Sequence, residues 1–176
     1  HVALAAEHLV RRYDLSRVAI VDFDVHHGNG TQHIFESRRD VFYISLHECP
    51  GSLEFPGTGY ADETGSGDGQ GYTLNVPLDR GSGEAEYRAA LEQQVLPALD
   101  AYRPQFILHS AGFDALMWDR VAHLSLEPSS FRWLTDAIVR LADRHAGGRL
   151  VSVLEGGYDL DSLGRAVVEH VRGLMS

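Results

Sequence analysis

The sequence predicts an α/β fold: three layers, with a mainly parallel sheet flanked by helices, in one domain over residues 1–176. Three observations predict it. Short Val/Ile-rich runs alternate with stretches of helical periodicity, as βαβ units require. Several of these runs are continuously apolar, the pattern of strands buried on both faces. Polar, glycine-bearing motifs then follow directly after the runs, at the end of an open parallel sheet where ligands bind.

Each element can be read in order. In residues 1–12, Val2, Ala5, Ala6, Leu9 and Val10 recur at the spacing of one helix face. A helix that begins at residue one without a cap leads us to expect preceding sequence. Arg17–Phe23, Asp40–Leu46 and Tyr72–Val76 read as strands. Tyr87, Leu91, Val95 and Leu99 mark a helix over 84–102 that Pro97 should kink or shorten. Gln105–Ser110 is the next strand. Phe131, Leu134, Ile138, Leu141 and Ala142 define a helix capped by Ser129 or Ser130 and stopped at Gly147. Arg149–Leu154 is the last strand and Leu160–Met175 a closing helix. The connection from Glu48 to Gly71 carries seven glycines, and a loop of that length in a compact domain is usually functional.

Composition narrows the function. Apolar residues make up 44% of the chain and charged residues 23%, an ordinary globular balance. All 15 basic residues are arginine, against 25 acids, and a net charge of −10 disfavours nucleic-acid phosphates as partners. No apolar run is long enough to span a membrane. Cys49 stands alone, so neither a disulfide framework nor a cysteine-rich metal site is expected, and a reducing cytoplasm suits the chain.

The chemistry concentrates in Val21–Thr31, VDFDVHHGNGT. In extended backbone Asp22, Asp24 and His26 project to one side, and grouping two carboxylates with an imidazole is costly unless a cation neutralises them. Asp114, after the strand that ends in His109-Ser110-Ala111-Gly112, could reach across as a third ligand; alone, it reads equally well as a turn acid or helix cap. Asp24, His26 and Asp114 together form a mixed oxygen and nitrogen set of the kind that holds a hydrolytic zinc, with Fe(II) or Co(II) also compatible. In Leu154-Glu155-Gly156-Gly157-Tyr158 the glycines permit close backbone approach, and Tyr158 could donate to a developing oxyanion.

DFDVHHGNGTQ, SLHE, FPGTGY, SAGFDA and LEGGYDL, in this order, resemble the histone deacetylase and acetylpolyamine amidohydrolase superfamily, whose fold is arginase/deacetylase-like. HHGNGTQ and LEGGY are more similar to the class II-like and bacterial branch. The resemblance covers almost the whole chain and makes it the C-terminal part of a catalytic domain, with the N-terminal portion absent. It implies a zinc-dependent amidohydrolase that removes acetyl groups from acetyl-lysine in proteins or from acetylated polyamines. Asp24, His26 and Asp114 match the zinc ligands. Tyr158 matches the tyrosine that polarises the acetyl carbonyl and stabilises the oxyanion. Asp22 matches the carboxylate paired with a catalytic histidine. Asp22, Asp24, His26, Ser45 and Leu46 match a structural potassium site, and Phe35, Arg38, Val41 and Tyr72 a second monovalent site. Phe55 matches a wall of the acyl-lysine channel, with Gly156 and Gly157 near its floor, and His27 lies beside the metal ligands.

Two departures accompany the resemblance. The family's tandem histidine pair and its Gly-Phe channel wall belong upstream of His1, so this stretch alone is expected to be inactive. The alternative is a non-catalytic homologue that binds metal or acetylated ligands. After SAGFDA, Leu116-Met117-Trp118-Asp119-Arg120 stands where relatives have a polar loop ending in Asp-Pro, which would place an apolar cluster at the site's mouth. His8, His33, His123, His145 and His170 read as solvated, His109 as a core histidine with satisfied nitrogens, and His47 as a neighbour of the site. Cys49 lacks basic neighbours and does not read as a nucleophile.

Overall fold

The computed structural model describes residues 1–52 and 55–176. Five parallel strands form one sheet: β1 (Val18–Asp22), β2 (Val41–Glu48), β3 (Thr73–Leu78), β4 (Phe106–Ala111) and β5 (Leu150–Leu154), in the spatial order β3-β2-β1-β4-β5. Asp22 pairs in register with Ser45 on one side and Ser110 on the other. Three polar residues thus meet at one level at the C-terminal ends of the central strands.

The alternation of side chains explains the layers. Val18 and Ile20 of β1 pack with Val41, Tyr43 and Leu108 under α1 (Val2–Tyr13) and α2 (Asn29–Phe35). Ala19 and Val21 face the opposite way, into the larger core with Ile44, Leu99, Phe113 and Ile138. That core lies beneath α3 (Glu84–Ala90), α4 (Leu96–Tyr102), α5 (Ser130–Ala146) and α6 (Leu160–Leu174). Helices on both faces bury β1 and β2 completely, which is why their sequences carry almost no alternation. The edge strand β5 differs, leaving Val151 and Leu154 exposed.

Most elements lie where expected, with informative differences. The third strand runs on through Pro77, because β3 is an edge strand and tolerates a residue without an N–H. Pro97 does not end the helix expected over 84–102. A π turn at Leu91–Val95 shifts the hydrogen bonding ahead of it, so α3 and α4 run on as one rod. Ser129 occupies the cap position of α5, but its hydroxyl makes no capping bond, and Ser130 Oγ instead donates to Glu84 at 3.3 Å. The seven-residue α2 was not anticipated, since His26–Gly30 reads as a loop and too few apolar residues follow to show a period.

The long connection after β2 folds back on the sheet. Ser66 N donates to Glu36 O at 2.6 Å, and Gly71 N to Thr64 O at 2.7 Å. At Gly69 a side chain would strike the backbone of Glu36, Ser37 and Arg38, so this close approach requires glycine.

Candidate metal centre

β1 ends at Asp22, and the chain beyond it leaves the extended conformation. The projected common side for residues 22, 24 and 26 therefore holds only for the last two. Asp22 turns away: its carboxylate accepts from Asp24 N at 3.0 Å and from Tyr43 Oη at 3.1 Å. Burial, then the charges of Asp24 and Glu155, push its pKa well above the usual carboxylate range. It lines a cleft of about 230 Å³ with Asp24, His26, His27, Ser110 and Glu155.

Asp24 and His26 meet Asp114, which follows β4. One ligand atom from each of the three lies within 4.8 Å of the others. His26 Nδ1 stands 3.1 Å from Asp24 Oδ1 and 3.1 Å from Asp114 Oδ2. The carboxylates are aimed by main chain: Val25 N donates to Asp114 Oδ1 at 2.9 Å, and Gly156 N donates to Asp24 Oδ2 at 2.8 Å. Hydrogen bonds from Asp114 and then Asp24 raise the His26 pKa to about 10. Burial raises that of Asp114. The two carboxylates thus favour positive charge at this point, and the mixed oxygen and nitrogen set they form with the imidazole could hold a metal ion.

Two glycines make the convergence possible. A Cβ at Gly156 would collide with the Asp114 carboxylate and lie 2.6 Å from Asp24 Oδ2. One at Gly112 would collide with Asp24 itself. Gly157 adopts φ of 136° against Leu163 and Phe113, backbone that favours glycine. It turns the chain into Tyr158, an exposed residue. Partial desolvation and then the Asp114, Asp24 and Asp119 charges hold its phenol above the ordinary range. On the other flank the exposed ring of Phe55 lies 6.3 Å from that of His26.

His27 is buried and fully committed. Its Nε2 donates to Gln32 Oε1 at 2.8 Å, and its Nδ1 accepts from Thr58 Oγ1 at 2.9 Å. Gln32 Nε2 donates to Glu63 Oε2 at 2.6 Å, and Asn75 Nδ2 donates to Gln32 Oε1 at 2.8 Å. Glu63 Oε1 accepts from Gly59 N and Tyr60 N, both at 2.9 Å. His47, whose pKa burial lowers to about 4, links Ser45 Oγ to Gly59 O. Ser45 and Leu46 are buried on β2 beside Asp22. Of the other proposed monovalent-site residues, Arg38 carries ion pairs to Glu7 and Asp40.

The sequence reading missed Gln32, Glu63 and Asn75. Asn75 inside an apolar strand was the available signal, since a buried amide demands partners. Several histidines were misjudged. His170 is buried, bonded to Thr135 and Ser152, and His123 donates to the buried carboxylate of Glu48. His145 pairs with Asp100, while His8 and His33 are exposed. His109 is a core histidine, but neither ring nitrogen has a hydrogen-bond partner among the described residues. The apolar cluster expected at the mouth divides: Leu116 enters the core, and Met117 and Trp118 are exposed.

The fold is thus a three-layer α/β arrangement around a parallel sheet, with an aspartate–histidine–aspartate cluster beyond its strand ends. Residues 1–174 match the histone deacetylase domain, and the chain belongs to that family. It is 45% identical, over its whole length, to 47% of a histone deacetylase-like amidohydrolase from Pseudomonas aeruginosa. It is 43% identical, over 99% of its length, to 41% of histone deacetylase 14, chloroplastic, from Arabidopsis thaliana. The solved HDA15 HD domain superposes with a TM-score of 0.90 at 40% identity, over 98% of this chain and 48% of that one. A further solved histone deacetylase gives 0.92 at 34% identity, over 99% of this chain and 30% of that one. The chain thus spans less than half the length of these relatives.

Proposed function

We propose that this chain carries the metal-binding half of a zinc-dependent deacetylase that cleaves acetyl-lysine or acetylpolyamine amides. The observation that carries the reading is the convergence of Asp24, His26 and Asp114 within 4.8 Å, the two carboxylates aimed by backbone and cleared by glycine. These residues would hold the ion; Fe(II) or Co(II) would suit the same mixed donors. When bound, a divalent metal polarises a carbonyl and makes water a nucleophile near neutral pH. Tyr158 offers its hydroxyl to the developing oxyanion, and an exposed ring beside the cluster suits that task. Phe55, Gly156 and Gly157 shape the approach of the acyl group. Asp22 lies in the same cleft as a buried carboxylate ready to orient a histidine. His27, with both nitrogens engaged, does not serve as the proton carrier. In this reading that role belongs to a histidine pair outside residues 1–176. The oxygens of Asp22, Asp24, His26, Ser45 and Leu46 would hold a structural potassium ion. Acidic charge favours cationic substrates over nucleic acids, and no helix among the described residues is long and apolar enough to cross a membrane. A lone Cys49 supports a reducing compartment such as the cytoplasm.

The test is an assay of the intact, zinc-loaded protein against acetyl-lysine peptides and acetylated polyamines. Turnover lost with chelator and restored by zinc is the expected result. Tyr158→Phe should retain zinc and lose turnover on the order of a hundredfold. Unchanged turnover in that variant would remove Tyr158 from the chemistry. Stoichiometric zinc with no turnover on any substrate would favour a binding module instead.

A further inference from the structure

We propose that Asp119 is a positioning residue for Tyr158, which it holds through the main chain; this rests on reading Tyr158 as the oxyanion donor. Tyr158 is 61% exposed, so packing does little to orient its side chain. Its hydroxyl has no hydrogen-bond partner among the described residues. What remains to aim it is the backbone of residues 156–159.

That backbone is fastened at two points. At the first, Gly156 N donates to Asp24 Oδ2 at 2.8 Å and Gly156 O accepts from Phe113 N at 2.8 Å. At the second, Asp119 Oδ2 accepts from Tyr158 N at 2.7 Å and from Asp159 N at 3.2 Å. Asp119 Oδ1 accepts from Val121 N at 3.1 Å, so both oxygens of this buried carboxylate are spent on main-chain donors. A carboxylate taking several N–H groups makes the stronger, charge-assisted kind of hydrogen bond.

The anchor is itself rigid. The excursion that bears Asp119 begins directly after Asp114 and closes through bonds between Ala115, Met117 and Leu126. Leu116, Leu124 and Leu126 bury into the main core. Further along, His123 N and Nδ1 donate to Glu48 at 2.8 and 3.0 Å. The tyrosine is therefore referenced to the segment after β4 that carries Asp114, through a chain of fixed contacts. A displacement of about 1 Å at a reacting group can cost a hundredfold in rate, so this fastening governs turnover without touching substrate.

The experiment compares Asp119→Ala, Asp119→Asn, Tyr158→Phe and the double variant Asp119→Ala/Tyr158→Phe in the intact, zinc-loaded protein with an acetyl-lysine peptide. Asp119→Ala should lower kcat about 10- to 100-fold while KM moves less than about threefold, the mark of an interaction felt in the transition state. Asp119→Asn, which keeps one acceptor oxygen but sets an NH2 group against the other main-chain donor, should recover only part of that loss. In the Tyr158→Phe background, Asp119→Ala should have almost no further effect, because no hydroxyl remains to aim. An undiminished loss in that background overturns the proposal. Amide hydrogen exchange judges the contact without turnover: Tyr158 and Asp159 should be protected in the parent and exposed in Asp119→Ala. Unprotected amides in the parent also overturn it. Protected amides in a parent that hydrolyses no substrate would instead count against the deacetylase reading alone.

Discussion

The two loops that flank the Asp24–His26–Asp114 cluster are held by different devices. Residues 55–63, on the β2 and β3 side, are tied by side chains. Gln32 sits at the centre, taking bonds from His27 and Asn75 and giving one to Glu63, which gathers the Gly59 and Tyr60 amides. Residues 156–159, on the β5 side, are tied by main chain to two carboxylates, Asp24 and Asp119. The first device is a network whose members depend on one another. The second relies on clearance, because the backbone must lie where any side chain at Gly156 would collide with the Asp114 and Asp24 carboxylates. Stability should therefore be sensitive on one flank and metal affinity on the other.

The largest effect that would break this contrast is at Gly156. Gly156→Ala should lower zinc affinity on the order of a hundredfold, since displacing groups that orient ligands costs 10–100-fold. Competition with a calibrated chelator measures it, and parent-like affinity would mean that the cluster relaxes around a methyl group. On the other flank, Gln32→Ala leaves His27, Asn75 and Glu63 each short of a buried partner. A loss of about 2–3 kcal/mol in urea unfolding is expected, with zinc affinity changed far less than by the glycine variant. If Gln32→Ala instead releases zinc and leaves stability intact, the two devices are not separate.

A smaller effect sharpens the comparison by removing polarity from neither loop. Burial pushes the His109 pKa down to about 3, with the neighbouring His170 acting in the same direction. The folded protein keeps this ring neutral, while an unfolded chain titrates it near 6.5. Its contribution is therefore complete above pH 6.5 and is lost as pH falls toward 3, because the unfolded state takes up a proton that the fold refuses. His109→Phe should flatten the decline in urea midpoint between pH 7 and pH 5. His47, lowered to about 4, should keep part of the slope in place. A decline as steep as the parent's would show that His109 is not among the groups responsible.

How legible the site was depended on how far each contact reaches along the chain. Asp24 and His26 could be found because they follow a strand and precede glycines within a few residues. Asp114, Tyr158 and the glycines beside them could be found because each stands just past its own strand. Gln32, Glu63 and Asn75 could not, since the bond from Gln32 to Asn75 spans 43 residues and none of the three carries a local signature. His170 looked solvated because its helix face is polar, yet α6 lays it against Thr135 of α5 and Ser152 of β5. Asp119 was noticed only as part of a departing segment, and its role depends on Tyr158, 39 residues away.

Sequence alone determined the parallel α/β plan and the end of the sheet that carries chemistry. Both follow from short-range rules, side-chain periodicity and the conformations open to glycine, which act within a strand and its next turn. Only the folded chain decided which polar atoms are spent. Asp22 turns from the cluster, His27 is fully bonded, and one aspartate fastens the tyrosine. Hydrogen-bond partners at these distances are set by strand order and loop packing, which no local stretch of residues encodes.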